Sequence, residues 1–308
     1  MSRTGETLFY CIGAQKAGTT WLSKYLGQHP EVFVPHHKEM DYFFSLQAGN
    51  KRQQIRRRLQ ILLKDCVTQG SNGALREDFP LDRIAELSNL IAVLGGKADY
   101  LSLFHARAPG VKAFGDLSPS YSLLAREAYT DMAGRHPDTR FIFLMRDPVM
   151  RFWSSVRMWY ASNAETRATK SIQELFYDRL RVPTDHLVLF SRYGRVINEL
   201  ESVVPRERIH YDFYEHIFSP HGQSHLDKLT DFLGVSRREG ALDRKVWETD
   251  TTHASQSDLT QTMRDDAREV FDQVYKVVRA RFGDAAPASW LWETDTKATV
   301  ASAGGSRS

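Results

Sequence analysis

Residues 8–26, LFYCIGAQKAGTTWLSKYL, decide how the rest of this chain is read. An apolar, β-prone run (residues 8–12) leads into a short loop bounded by Gly13 and Gly18, and a helix follows whose first turn carries Thr19 and Thr20. Strand, glycine-bounded loop and helix N-terminus together make a socket for a phosphate or sulfate group. The loop's backbone N–H groups point inward, and the helix dipole adds partial positive charge. Lys16 lies inside the loop, where its ammonium can reach the bound anion.

The composition suits a globular enzyme. The 308 residues are enough for one large α/β domain or two small ones with a buried core, and 42% are hydrophobic and 26% charged. A net charge of +3, with an isoelectric point near 8.8, suits an anionic ligand but is too small to argue for nucleic acid. The two cysteines, Cys11 and Cys66, make neither a disulfide framework nor a metal site. The first ten residues lack the apolar core of a secretory signal, and no apolar run approaches the roughly 18 residues of a membrane helix. A cytoplasmic protein is therefore expected. Residues 298–308, small and polar, read as a disordered tail after a single domain over residues 1–297.

Along the chain, helices are expected over residues 19–28, 51–63, 81–94, 149–162, 171–180, 185–203, 223–233 and 259–282. Strands are expected over 31–34, 111–115, 140–145 and 208–211. Residues 35–44, PHHKEMDYFF, mix histidines, charges and aromatics without periodicity and are placed in a loop near the first site. The basic face of 51–63 reads as a solvated helix surface, with a role in holding an acidic acceptor as the sharper alternative. The run RFIFLM (residues 140–145) has the continuous apolar character of a strand buried on both faces. Alternating strands and helices argue for an α/β fold with a central, mostly parallel sheet flanked by helices in three layers.

Two constellations carry chemistry. The first loop reads GAQKAGTT, whereas an NTP-binding loop reads G-x-x-x-x-G-K-[ST]. The glycine spacing fits, but Thr19 stands where that lysine belongs and Lys16 comes earlier. The hydroxyls of Thr19 and Thr20 can donate directly to a terminal phosphate, with no metal required. The second constellation is RDPVMRFWS (residues 146–154). Arg146 ends a buried strand, the usual position for ligand contacts in open parallel sheets. Ser154 lies about two helical turns farther on and can face back toward the strand end. A guanidinium and a hydroxyl make a clamp for a second phosphate group.

Together, these segments resemble the sulfotransferase family that uses 3′-phosphoadenosine 5′-phosphosulfate (PAPS). QKAGTTWL resembles that family's 5′-phosphosulfate loop, FLMRDPVMRFWSS its 3′-phosphate segment, and DKLTDFLGV, less specifically, a later helix. The resemblance implies a P-loop-like fold. It places Lys16, Ala17, Gly18, Thr19, Thr20 and Trp21 around the 5′-phosphosulfate, and Arg146 and Ser154 on the 3′-phosphate. Lys16 would stabilise the charge developing on the bridging oxygen, and adenosine 3′,5′-bisphosphate (PAP) would be the product. HKEMDYF resembles the K-E-x-H-[FY]-F segment of the glycan-sulfating branch, which makes Glu39 the candidate general base. His36 and His37 are runners-up. Being adjacent in a loop, without partners at metal spacing, they make no zinc site, and no metal is expected.

Two positions depart from the glycan branch. Asp41 stands where histidine is frequent, and Leu117 where lysine is usual. Asp116 is expected to position Lys16 or the acceptor, or else to cap the following turn. His37, Asp41, Asp116 and Tyr193 are the candidate acceptor contacts, and Trp153 and Trp159 belong to an acceptor pocket or to the core. The segment TDTTHASQSD after Glu248 reads as the loop that closes over the nucleotide in related enzymes. The expected activity is transfer of a sulfuryl group to a hydroxyl or an amine of a carbohydrate or glycoconjugate, by a bacterial cytosolic enzyme with no nucleic-acid partner and no membrane span. The rival readings are a phosphoryl-transfer enzyme using Mg²⁺ on Asp147 or Asp116, a non-catalytic adenine-nucleotide-binding module, and a nucleic-acid binder using the Arg56–Arg58 cluster, against which the small net charge argues.

Overall fold

The computed structural model describes residues 5–69, 73–78, 80–240 and 258–290. The expected tail lies outside them, as does all of the expected nucleotide-covering loop except Asp258. Strands run in chain order as β1 (Thr7–Gly13), β2 (Val32–Phe33), a small antiparallel pair β3 (Thr68–Gln69) and β4 (Ala74–Leu75), then β5 (Ala113–Leu117), β6 (Thr139–Met145) and β7 (Ile209–Phe213). The main sheet has the order β2-β5-β1-β6-β7, and every ladder in it is parallel. All seven residues of β1 are buried, as befits the central strand.

Helices flank this sheet: α1 (Thr19–Gly27), α2 (Tyr42–Gln47), α3 (Lys51–Ile61), α4 (Leu81–Leu94), α5 (Arg126–Ala133), α6 (Pro148–Ser162), α7 (Ala164–Thr169), α8 (Ile172–Leu180), α9 (His186–Leu189), α10 (Tyr193–Glu201), α11 (Tyr214–Ile217), α12 (Gly222–Leu233) and α13 (Gln261–Phe282). One hydrophobic cluster runs from Leu8 to Trp290 through the sheet and its covering helices. No described helix is long and apolar enough to cross a membrane.

After β1 the chain turns toward β2 on one side of the sheet; after β6 it turns toward β7 on the other. The crevice between β1 and β6 is therefore the switch point where open parallel sheets bind ligands. Sequence reasoning locates the loops that flank it, because β1 and β6 are the two most uniformly apolar strands.

Several expectations change: the strand expected over 208–211 is Ile209–Phe213, and the loop expected over 35–44 gives way to α2 at Tyr42. The expected strand over 111–115 moves to Ala113–Leu117, which takes Asp116 and Leu117 into β5. Gly115 is needed there, because a Cβ would sit 2.3 Å from the carbonyl oxygen of Phe9 on the neighbouring strand. The helix expected over 185–203 breaks into α9 and α10. Buried Arg151 donates to the carbonyl of Leu187 and, at 2.5 Å, to Ser191 Oγ, so the Leu187 carbonyl is taken by a side chain where the helix would need it. Finally, the basic face of α3 is not wholly solvated. Arg58 is 1% exposed and points into the protein.

Candidate active site

A cavity of about 950 Å³ opens at the ends of β1, β5 and β6. On the β1 side, α1 starts at Gly18, which has φ +88° and supplies no side-chain cap, so the first-turn amides are open to an anion. A Cβ on Gly18 would come within 3.2 Å of Phe218 and of Tyr214, so both backbone and packing require glycine here. Lys16, Thr19, Thr20 and Trp21 line the cavity, whereas Ala17 is buried beneath the loop. The ring of Trp21 stacks on Tyr25, with centroids 5.3 Å apart.

From the β6 side, Arg146 reaches across the switch point. Its Nη1 donates to the Lys16 carbonyl at 3.0 Å, and its guanidinium lies 4.4 Å over the Tyr214 ring. Asp147 caps α6 by accepting from the Met150 amide at 2.8 Å. Met150, Ser154, Arg157 and Met158 recur at helical spacing and turn one face of α6 to the cavity. The two anion sockets expected from sequence thus belong to one chamber.

The third wall is the 35–41 loop. Glu39 lines the cavity, and Lys38 Nζ donates both to Glu39 Oε1 and to Thr20 Oγ1, each at 2.8 Å. Below the loop, Arg58 donates to His37 Nε2 at 2.7 Å, to the carbonyls of Glu39 and Met40, and to Asp41 Oδ2 at 3.4 Å. From the β5 side, Asp116 accepts from Ser118 Oγ and Tyr121 OH, each at 2.6 Å. Those two oxygens in turn accept from the Asp41 and Tyr42 amides, each at 3.1 Å. The described residues with positive φ other than glycine are Lys16, Glu39 and Asp41, and all three line this cavity. Such conformations cost about 1–3 kcal/mol each and persist where the surroundings over-determine them.

The sulfotransferase family model matches residues 9–239. The chain belongs to the sulfotransferase family. No curated protein sequence gives a match. Among solved structures, it is similar to a sulfotransferase from Alicyclobacillus acidocaldarius, with 20% identity, a TM-score of 0.59, and coverage of 94% of this chain and 99% of that one. It is also similar to the sulfotransferase domain of the Synechococcus PCC 7002 olefin synthase, with 16% identity, a TM-score of 0.51, and coverage of 91% and 95%. At these identities the likeness shows a shared fold.

In this sulfotransferase the cavity gathers the positive charges of Lys16, Lys38, Arg146 and Arg157. Burial, and then the charges of Arg146, Arg157 and Lys38, push the Lys16 ammonium down to about 8. Burial pushes the Asp116 carboxyl up to about 6, against the hydrogen bonds it accepts. His37, brought down to about 4 by burial and then by Arg58, is a neutral acceptor for that guanidinium.

Among the candidate acceptor contacts, the cavity includes Asp41 but not His37, Asp116 or Tyr193. His37 and Asp116 hold the Glu39 loop from behind. Tyr193 is buried, and its hydroxyl donates to the Arg146 carbonyl at 2.6 Å. Trp153 is fully buried in the core. Lys38 and Arg157 also line the cavity without having been expected to, as does Arg57, from the basic helix whose preferred reading from sequence is a solvated face. The sequence did hold signals for two of them: Lys38 precedes Glu39 in the K-E pair, and Arg157 lies one helical turn beyond Ser154.

Proposed function

We propose that this protein transfers the sulfuryl group of PAPS to a hydroxyl, with Lys16, Gly18, Thr19 and Thr20 at the 5′-phosphosulfate and Arg146 and Ser154 at the 3′-phosphate. The observation that carries the reading is that Lys16 and Glu39, both held with positive φ, face one chamber with Arg146 and Ser154. In the proposed step the acceptor oxygen bonds to sulfur as the bond from sulfur to the phosphate oxygen breaks. Glu39 takes the acceptor proton, and Lys16 offsets the charge left on the phosphate oxygen.

The wall around Glu39 supports a polyhydroxylated acceptor such as a carbohydrate or glycoconjugate. Asp41 and Arg57 line it, as does Gln54, whose buried Oε1 accepts no hydrogen bond within the protein. An acceptor met in the cytoplasm is part of this reading, consistent with the absence of a membrane-crossing helix among the described residues. Phosphoryl transfer is disfavoured because both candidate Mg²⁺ ligands are engaged. Asp147 accepts from the Met150 amide and from Tyr275 OH at 2.8 Å, and Asp116 accepts from Ser118 and Tyr121.

The test is transfer of labelled sulfate from PAPS to a panel of saccharide acceptors, alongside thermal shift with PAP and with ATP plus Mg²⁺. Sulfation lost in Glu39→Gln and Lys16→Ala, with stabilisation by PAP, is expected. Stabilisation by ATP only when Mg²⁺ is present would overturn the reading.

A further inference from the structure

A second cluster of chemistry-bearing side chains sits beyond the cavity, where β7 passes into α11 and α12. His210 and Asp212 alternate with Tyr211 along β7 and so share one face of the strand. His216 comes from α11 and His225 from α12. His225 Nδ1 lies 2.9 Å from Asp212 Oδ1 and 3.0 Å from Oδ2, while His210 Nε2 lies 3.6 Å from Oδ2 and His216 Nδ1 4.0 Å from Oδ1. The rings of His216 and His225 are tilted by 37° with centroids 4.8 Å apart. One donor atom each from Asp212, His216 and His225 falls within 4.8 Å of the other two. His210 Nε2 is buried and makes no hydrogen bond. None of the four residues lines the cavity described above.

We propose that Asp212, His216 and His225, with His210 Nε2 as fourth ligand, bind a zinc-class divalent ion. Three imidazoles and one carboxylate match the preferences of zinc, whereas magnesium and calcium call for more oxygen ligands. A tetrahedral site with bonds of about 2.0 Å separates its donors by about 3.3 Å, so the donors of Asp212, His216 and His225, which lie within 4.8 Å of one another, draw together as the ion binds, and His210, outside that group, turns its Nε2 toward them. Asp212 is buried, while His216 and His225 are partly exposed and give the ion a way in.

The ion is structural, because its ligands bracket a short segment that supports the cavity. Between Asp212 and His216 lie Tyr214, whose ring sits under Arg146, and Glu215, which accepts from the Asp147 amide at 2.9 Å. Tying β7, α11 and α12 together at one point would fix both contacts. The spacing H-x-D-x3-H-x8-H is not a familiar sequence signature, since a strand, a turn of helix and a second helix fold it together.

The test uses tag-free full-length protein stripped with EDTA, given one equivalent of Zn²⁺, desalted and assayed for metal by mass spectrometry. One zinc per chain is expected, with a melting temperature raised by about 5 °C at a free concentration near 100 times Kd. Mg²⁺ should do neither. His216→Ala and His225→Ala should each lower retained zinc at least tenfold. His216 makes no hydrogen bond to Asp212, so its variant keeps the His225–Asp212 hydrogen bonds and can be judged folded by circular dichroism. Less than half an equivalent in the wild type, or a full equivalent in folded His216→Ala, would overturn the proposal.

Discussion

Replacing Arg58 tests whether the Glu39 loop is held from beneath. Arg58 is 1% exposed and donates to His37, to the Glu39 and Met40 carbonyls and to Asp41. Methionine would fill much of the same volume and provide no donor. Asp41 would keep Ser120 Oγ at 2.6 Å and the half-exposed Arg57 at 3.8 Å, and the two carbonyls would each lose a partner. Removing one member of a buried ion pair costs about 3–5 kcal/mol. At about 2–4 °C per kcal/mol for a domain of somewhat smaller size, the melting temperature should fall by about 10 °C. The Lys16 and Arg146 sockets do not touch Arg58, so PAP affinity should stay within about threefold. Turnover should fall by about a hundredfold, as expected when a reacting group shifts by about 1 Å. Arg58→Lys should be intermediate, because an ammonium cannot reproduce the fork that reaches several acceptors at once. The assays are chemical denaturation, PAP calorimetry and sulfation rates well below the melting temperature. A folded Arg58→Met protein with wild-type kcat and stability within about 1 kcal/mol would refute the reasoning.

Further outcomes follow from the same geometry. Glu39→Gln should lower kcat by about 10²–10⁴ and leave PAP affinity intact, as removal of a general base does; unchanged kcat would remove Glu39 from the mechanism. With Lys16 at about 8 in the free protein, PAP affinity should be full below pH 8 and weaken above it as the ammonium loses its proton. Lys16→Arg should abolish that dependence, and a wild-type affinity that stays level from pH 7 to about 9.5 would contradict it. Gly18→Ala combines φ +88° with 3.2 Å contacts to Tyr214 and Phe218. It should lose about 1–2 kcal/mol of stability and weaken PAP, measured by denaturation and calorimetry; wild-type values would show that the loop yields easily.

The sequence by itself determined the parallel α/β frame and the two loops that meet at its switch point. Both follow from local pattern: the apolar runs that become β1 and β6, the glycines around Lys16, and the Arg-Asp-Pro that ends one strand and starts a helix. Family membership is legible in those same segments. The sequence could not separate solvated charges from buried ones. Arg58 belongs to a helix as basic as any surface helix, and only the packing of α3 beneath the Glu39 loop buries it against Asp41. Asp116 and Tyr193 were expected near the acceptor, yet the first hydrogen-bonds Ser118 and Tyr121 and the second holds the Arg146 backbone. The histidines around Asp212 come from three elements with no shared period. Burial and long-range hydrogen bonding depend on which distant surfaces meet, and chain order does not encode that locally. Tertiary structure therefore decided which side chains face the cavity and which only hold those that do.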